Sequence, residues 1–120
     1  MSHQLNNLYN LYRDYYIIMP STFNKTLRKY SNPVIAQKRA HQYLGKSAVL
    51  YPATRKHKKY SVFDRKRNQW VSFGQLGYED YTKHKDKTRR RNYLTRATHI
   101  KGDWKRDKYS PNNLSIHVLW

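Results

Sequence analysis

The 120-residue chain contains no cysteine, which excludes a disulfide framework, cysteine-ligated zinc and thiol catalysis. Acids are nearly as scarce: 7 Asp and Glu stand against 25 Lys and Arg, leaving a net charge of +18. Solubility needs roughly 2–8 charges on a small domain. The surplus repels itself on compaction and calls for something negative to sit against it. Long apolar runs are also missing. The longest, Tyr15-Tyr16-Ile17-Ile18-Met19, falls far short of the ~20 residues that cross a bilayer. Met1 to Asn10 lacks a basic start followed by an apolar run, so no secretory signal is expected, and the lack of cysteine fits a reducing compartment. The two Asn-x-Ser/Thr words, at Asn24 and Asn113, then read as chance. With 4 Gly and 4 Pro in all, neither a phosphate-cradling glycine loop nor a nucleophile elbow is present.

Aromatic residues are abundant: 12 Tyr, 3 Trp and 3 Phe. A disordered basic tail is poor in such residues, so a folded chain with one modest core is expected. Residues 1–31 differ from the rest. Leu5, Leu8, Tyr9, Tyr12, Tyr16 and Met19 fall at helical spacing until Pro20 ends the pattern, and 20–31 reads as a linker. This Tyr-rich helix either packs on its own domain or forms an arm that docks a neighbour through Leu8, Tyr12 and Tyr16.

The basic domain is expected over 32–120. Asn32-Pro33 starts a helix that Gly45 stops, with Ala36, Ala40, Tyr43 and Leu44 on its apolar face and Gln37, Lys38, Arg39 and His41 turned outward. The period then changes. Ala48 to Tyr51 reads as a short strand ended by Pro52; 59–63 and 69–73 read as a hairpin joined by the basic turn 64–68. Apolar residues fall on both faces of the hairpin, so both are expected to be covered. Tyr78 to Tyr81 suggests a helical turn, and Asp86 or Thr88 caps a second helix through Ala97. Ser110 to Asn113 reads as a turn before an apolar tail that ends in Trp120, a residue expected to tuck against the core or a partner. The sum is a small α+β fold: a three-stranded, mainly antiparallel sheet, two or three helices (33–44 and 86–98 covering the sheet), an N-terminal arm and an apolar tail.

Three basic clusters carry the functional signal. Arg55, Lys56, Lys58 and Lys59 precede the hairpin, Arg65, Lys66 and Arg67 form its turn, and Lys83, Lys85, Lys87, Arg89, Arg90 and Arg91 run into the second helix. Converging cations neutralise phosphate with counterion release. One such cluster is ordinarily a solvated face; three with few interspersed acids point to polyanion contact. Tyr51, Tyr60, Phe63, Trp70 and Phe73 are possible stacking platforms, though a small domain needs most of such rings in its core. Glu79, Asp80, His84 and Asp86 form the one acid-and-histidine group. A metal nuclease could use it, but in so basic a chain capping and ion pairing are the expected roles. No catalytic residue, metal site, cofactor or small-molecule substrate is assigned.

Residues 32–120 resemble an uncharacterised family of small basic proteins encoded by large nucleocytoplasmic DNA viruses. The resemblance rests on Tyr43-Leu44-Gly45-Lys46, Tyr51-Pro52-Ala53-Thr54-Arg55-Lys56, Trp70-Val71-Ser72-Phe73-Gly74-Gln75, Gly77-Tyr78-Glu79-Asp80-Tyr81-Thr82-Lys83-His84, Gly102-Asp103-Trp104-Lys105 and Tyr109-Ser110-Pro111-Asn112-Asn113-Leu114-Ser115. It implies a virion or a virus factory in the host cytoplasm, and no assigned chemistry. Two functions are then expected. One is a minor capsid or cementing protein that docks neighbours through its arm and Trp120 and meets acidic virion proteins or an anionic membrane surface. The other is a protein that binds nucleic acid without sequence preference and compacts viral DNA.

Overall fold

The computed structural model describes residues 23–120. The expectations for the 1–19 helix lie outside them. The order is α1 (Lys25–Tyr30), α2 (Pro33–Leu44), β1 (Tyr51–Pro52), β2 (Lys58–Asp64), β3 (Gln69–Gln75), α3 (Tyr81–His84), α4 (Lys87–Thr98), a 3-10 turn (Asp103–Arg106) and α5 (Pro111–Leu114), which runs on as a π-helical stretch, Ser115–Leu119. The three strands lie in the order β1-β2-β3, all antiparallel. The fold is α+β, with more helices than expected.

Helix starts follow their capping chemistry. Asn32 accepts from the backbone N–H groups of Val34 and Ile35, with Pro33 in the first turn. Ser110-Pro111 repeats the device, Ser110 Oγ accepting from Asn113 N–H at 3.1 Å. The C-terminal segment, read from sequence as a turn and an apolar tail, is therefore helical where it closes the core. Leu114, Val118 and Leu119 share one face and are buried in the core. This segment supplies the cover expected of α4, in which Ala97 is the one fully buried residue.

The linker reading of 20–31 fails in its described part. Asn24 caps α1, and Phe23 and Leu27 are buried in the core, Phe23 meeting Tyr60 edge-on at 5.4 Å. Gln37 also turns inward. Its amide donates to Ala48 O and its oxygen accepts from Leu50 N–H, tying α2 to the approach to β1. Tyr60, Phe73, Leu50, Val62 and Ala36 complete the core. Each large side chain withdrawn from water contributes about 1.5–3 kcal/mol.

Two positions fix the sheet. Asp64 turns the hairpin by accepting from the N–H groups of Lys66 and Arg67, and Asn68 takes φ 54° to close it. Gly74 has φ +81°, and a Cβ there would stand 2.8 Å from Leu119 Cδ1, so the C-terminal helix sits directly on bare backbone. At the other side of the sheet, Pro52 is exposed on the two-residue strand β1.

Candidate functional site

One face of the sheet is the core face, with Tyr60 paired to Phe73 and Val62 to Val71. The opposite face carries Tyr51, Ser61, Phe63, Trp70 and Ser72, because side chains alternate along each strand. It is not covered throughout. At one end Thr54 folds over it: its N–H donates to Ser61 Oγ at 2.8 Å, and the hydroxyls of Thr54, Ser61 and Ser72 bond one another at 2.7–3.2 Å. At the other end three rings stand together. Trp70 meets Tyr51 and Phe63 edge to face, each pair 5.3 Å between centroids. Trp70 remains 47% exposed and Tyr51 46%. Of the sequence candidates for stacking, Tyr60 and Phe73 are core, whereas Tyr51, Phe63 and Trp70 form a surface cluster. A shallow groove of about 200 Å³ runs beside them, with Arg65 in its wall.

Basic turns lie at both ends of this face. Arg55, Lys56 and Lys58 lead into β2; Arg65, Lys66 and Arg67 follow it. Lys58 and Asp64 are six residues apart on a strand, so the turns are separated by about 20 Å at ~3.3 Å per residue. Arg55, Lys56, Arg65 and Lys66 are exposed and form no ion pair among the described residues. The same holds for Lys83, Lys85, Lys87 and Arg91.

Four cations of the expected set have other partners. Lys59 is buried; its ammonium donates to Asp80 Oδ2 at 3.0 Å and to Tyr78 O at 2.6 Å. It is a structural residue and no surface contact. Burial pushes its pKa below the ordinary lysine value, against the pull of Asp80. Arg67 spans Asp64 and Asp107, at 3.1 and 2.8 Å, and these carboxylates raise its pKa. Arg90 is half-buried, donates from Nε to Trp120 O at 2.7 Å and lies over the Tyr81 ring. Arg89 stands 3.6 Å from Glu79. Arg89, with Arg96, Tyr78 and Trp120, lines a cleft of about 490 Å³ between β3 and α4.

The acid-and-histidine group is dispersed into local roles. Asp80 caps α3, accepts from Thr82 N–H at 3.0 Å and from the Thr82 hydroxyl, and pairs with Lys59. Asp86 caps α4, its carboxylate held below the usual range by the N–H groups of Arg89 and Thr88. His84 Nδ1 accepts from Asp86 N–H at 2.9 Å. Among the described residues no set of three or more His, Asp or Glu is placed to hold a metal.

Trp120 turns inward. Its indole stacks on Tyr93 at 4.1 Å with 8° between planes and also faces His84. Of the residues expected to dock a neighbour, it thus docks its own domain; Leu8, Tyr12 and Tyr16 lie outside the described residues. No helix among the described residues is long and apolar enough to cross a membrane.

Residues 48–97 match the model of a family of unknown function, DUF5754. The matched segment covers less than half of the chain, yet it contains the whole sheet, the Tyr51–Phe63–Trp70 cluster and all three basic clusters. No curated protein and no solved structure matches the chain.

Proposed function

We propose that this protein is a non-enzymatic, basic nucleic-acid-binding protein that contacts the phosphate backbone without sequence preference. The observation that carries this reading is the placement of the exposed cations. Arg55 and Lys56 at one end of the sheet, Arg65 and Lys66 at the other, and Lys83, Lys85, Lys87 and Arg91 beyond them are exposed and have no carboxylate partner among the described residues. Where the fold needs a charge neutralised, at Lys59 or Arg67, it supplies an acid. Where it does not, the neutralising group comes from outside. Phosphate suits this set because each neutralised contact releases condensed counterions.

The test is affinity for random-sequence DNA across a salt series. The logarithm of the binding constant falls linearly with log salt, with the same slope for unrelated sequences. Replacing Arg55 and Lys56 together by Ala makes that slope shallower by roughly 1.8, about 0.9 for each lost phosphate contact. Arg67→Ala, which removes a cation already paired with two carboxylates, leaves the slope unchanged. Weak binding even at low salt removes the reading.

A second reading follows from the viral resemblance: a minor capsid or cementing component that meets acidic virion proteins. The inward stack of Trp120 on Tyr93 takes away one of its two docking elements. It predicts copurification with capsid after nuclease treatment; loss of the protein with the digested genome rejects it.

A further inference from the structure

Resting on the nucleic-acid reading, we propose that the open face of the sheet selects single-stranded nucleic acid, a base stacking against Trp70 beside Tyr51 while the two basic turns hold the flanking phosphates. A backbone-only contact needs no exposed rings. Here a small domain that buries Tyr60 and Phe73 completely leaves Trp70 and Tyr51 about half in water. Exposing such surface forgoes the stabilisation that burying it would give, so its exposure calls for an occupant.

The occupant's chemistry follows from what surrounds the rings. Trp70 is held on two sides, by Tyr51 and by Phe63, with both ring centroids 5.3 Å away. Phe63 and Trp70 are directly paired across β2 and β3, so the indole is fixed by strand register and not by a loop. A rigid indole accepts a flat partner at little entropic cost. The adjoining groove, about 200 Å³ and walled by Tyr51, Phe63, Trp70, Tyr109 and Arg65, places a cation within the same recess. A flat, apolar-faced group joined to a negative charge is a nucleotide. An acidic protein would satisfy the turns but not the rings, and a greasy peptide the reverse.

Strandedness follows from geometry. In a duplex the base faces are stacked on one another and withheld from a protein surface. In a single strand they are free, and stacking is tolerant of sequence because every base has such a face. The polar cap of Thr54 over Ser61 and Ser72 closes the other end of the face, which confines stacking to the Trp70 end. The basic turns then stand about 20 Å apart, at ~3.3 Å per strand residue, a span that several nucleotides bridge.

The experiment compares the full chain and its Trp70→Ala, Trp70→Phe and Tyr51→Ala variants for binding to a thymidine oligonucleotide and to a duplex of equal length. Circular dichroism verifies folding. Trp70→Ala is expected to weaken oligonucleotide binding about tenfold, the factor for loss of one stacked base. Trp70→Phe, which keeps a ring, recovers most of it, and duplex affinity changes less than twofold. Oligonucleotide should also quench tryptophan emission in the full chain, and quench it less in Trp70→Phe, which retains Trp104 and Trp120. Equal losses for single strand and duplex, or unchanged affinity in folded Trp70→Ala, overturn the stacking proposal and leave the phosphate reading standing. No binding of either nucleic acid by the full chain at low salt overturns both.

Discussion

Lys59 Nζ lies 3.0 Å from Asp80 Oδ2, and neither side chain is more than 3% exposed. The pair ends a buried chain of hydrogen bonds. Tyr60 O–H donates to Ser31 Oγ at 2.8 Å, Ser31 bonds Thr82 Oγ1 at 3.1 Å, and the Thr82 hydroxyl donates to Asp80. With the Thr82 proton directed to Asp80, that of Ser31 points to Thr82. The chain links the end of α1, β2 and the start of α3. Removing one partner of a buried pair leaves an uncompensated charge, at a cost of about 3–5 kcal/mol. Lys59→Met is therefore expected to lower unfolding free energy by about that much in urea titration. Lys56→Met, on the exposed turn, should change stability by less than about 0.5 kcal/mol. Equal stability of the two variants would show that the pair contributes nothing.

Acid should destabilise the fold before its carboxylates protonate. Burial lowers the pKa of His41, His84 and His117, with Arg89 adding to the effect at His84, and Arg39 and Lys108 at His117. A folded value below the unfolded one means that the unfolded chain binds more protons as pH falls under about 6.5. Stability present above that pH is then lost progressively down to the folded values. His84 is the most constrained, since Nδ1 accepts from Asp86 N–H and buried Nε2 has no partner among the described residues. The melting temperature is expected to fall between pH 7.5 and 5, and less steeply in His84→Asn. Asp86 and Asp107, held below the usual carboxylate range by backbone and Arg67 contacts, act only under about pH 4. A flat profile from pH 7.5 to 5 would contradict this account.

A buried amide helps to seat the C-terminal helix. Asn113 is buried, and its Nδ2 donates toward three carbonyls, Trp104 O, Lys105 O and Asp107 O, at 2.9, 3.3 and 2.9 Å. Asn113→Ala leaves these acceptors short of a donor and is expected to cost about 1–3 kcal/mol. Asn113→Asp preserves the shape but aims a carboxylate oxygen at carbonyl oxygens, and should be the worse of the two. Thermal melts at pH 7.5 rank them; an aspartate variant as stable as wild type would refute the amide's role.

Local chemistry made much of the fold legible. Asn32-Pro33 and Gly45 bound α2 as read, and the hairpin with its 64–68 turn follows from alternation and turn residues. The Ser110-Pro111 start has the same capping chemistry, yet it reads from sequence only as a turn before an apolar tail, because too few residues follow it to display a helical period. The burial of Val118 and Leu119 depends on packing against α2 and, for Leu119, on Gly74, which lie far away in sequence. The same limit applied to charge. Nothing local marks Lys59 as buried among neighbours Lys56 and Lys58, because its partner Asp80 arrives through tertiary folding. The Trp70 cluster was half legible: its rings were among the stacking candidates, and only the strand register separates them from Tyr60 and Phe73.

Pro52 has no backbone N–H, and it occupies half of the two-residue strand at the sheet's margin. A neighbouring copy therefore finds no ladder to extend there. Molecules crowded side by side along a polymer, where local concentration is high, would stay separate beads at this border and not fuse into a continuous ribbon. Coverage of a long anion could then be dense and still reversible.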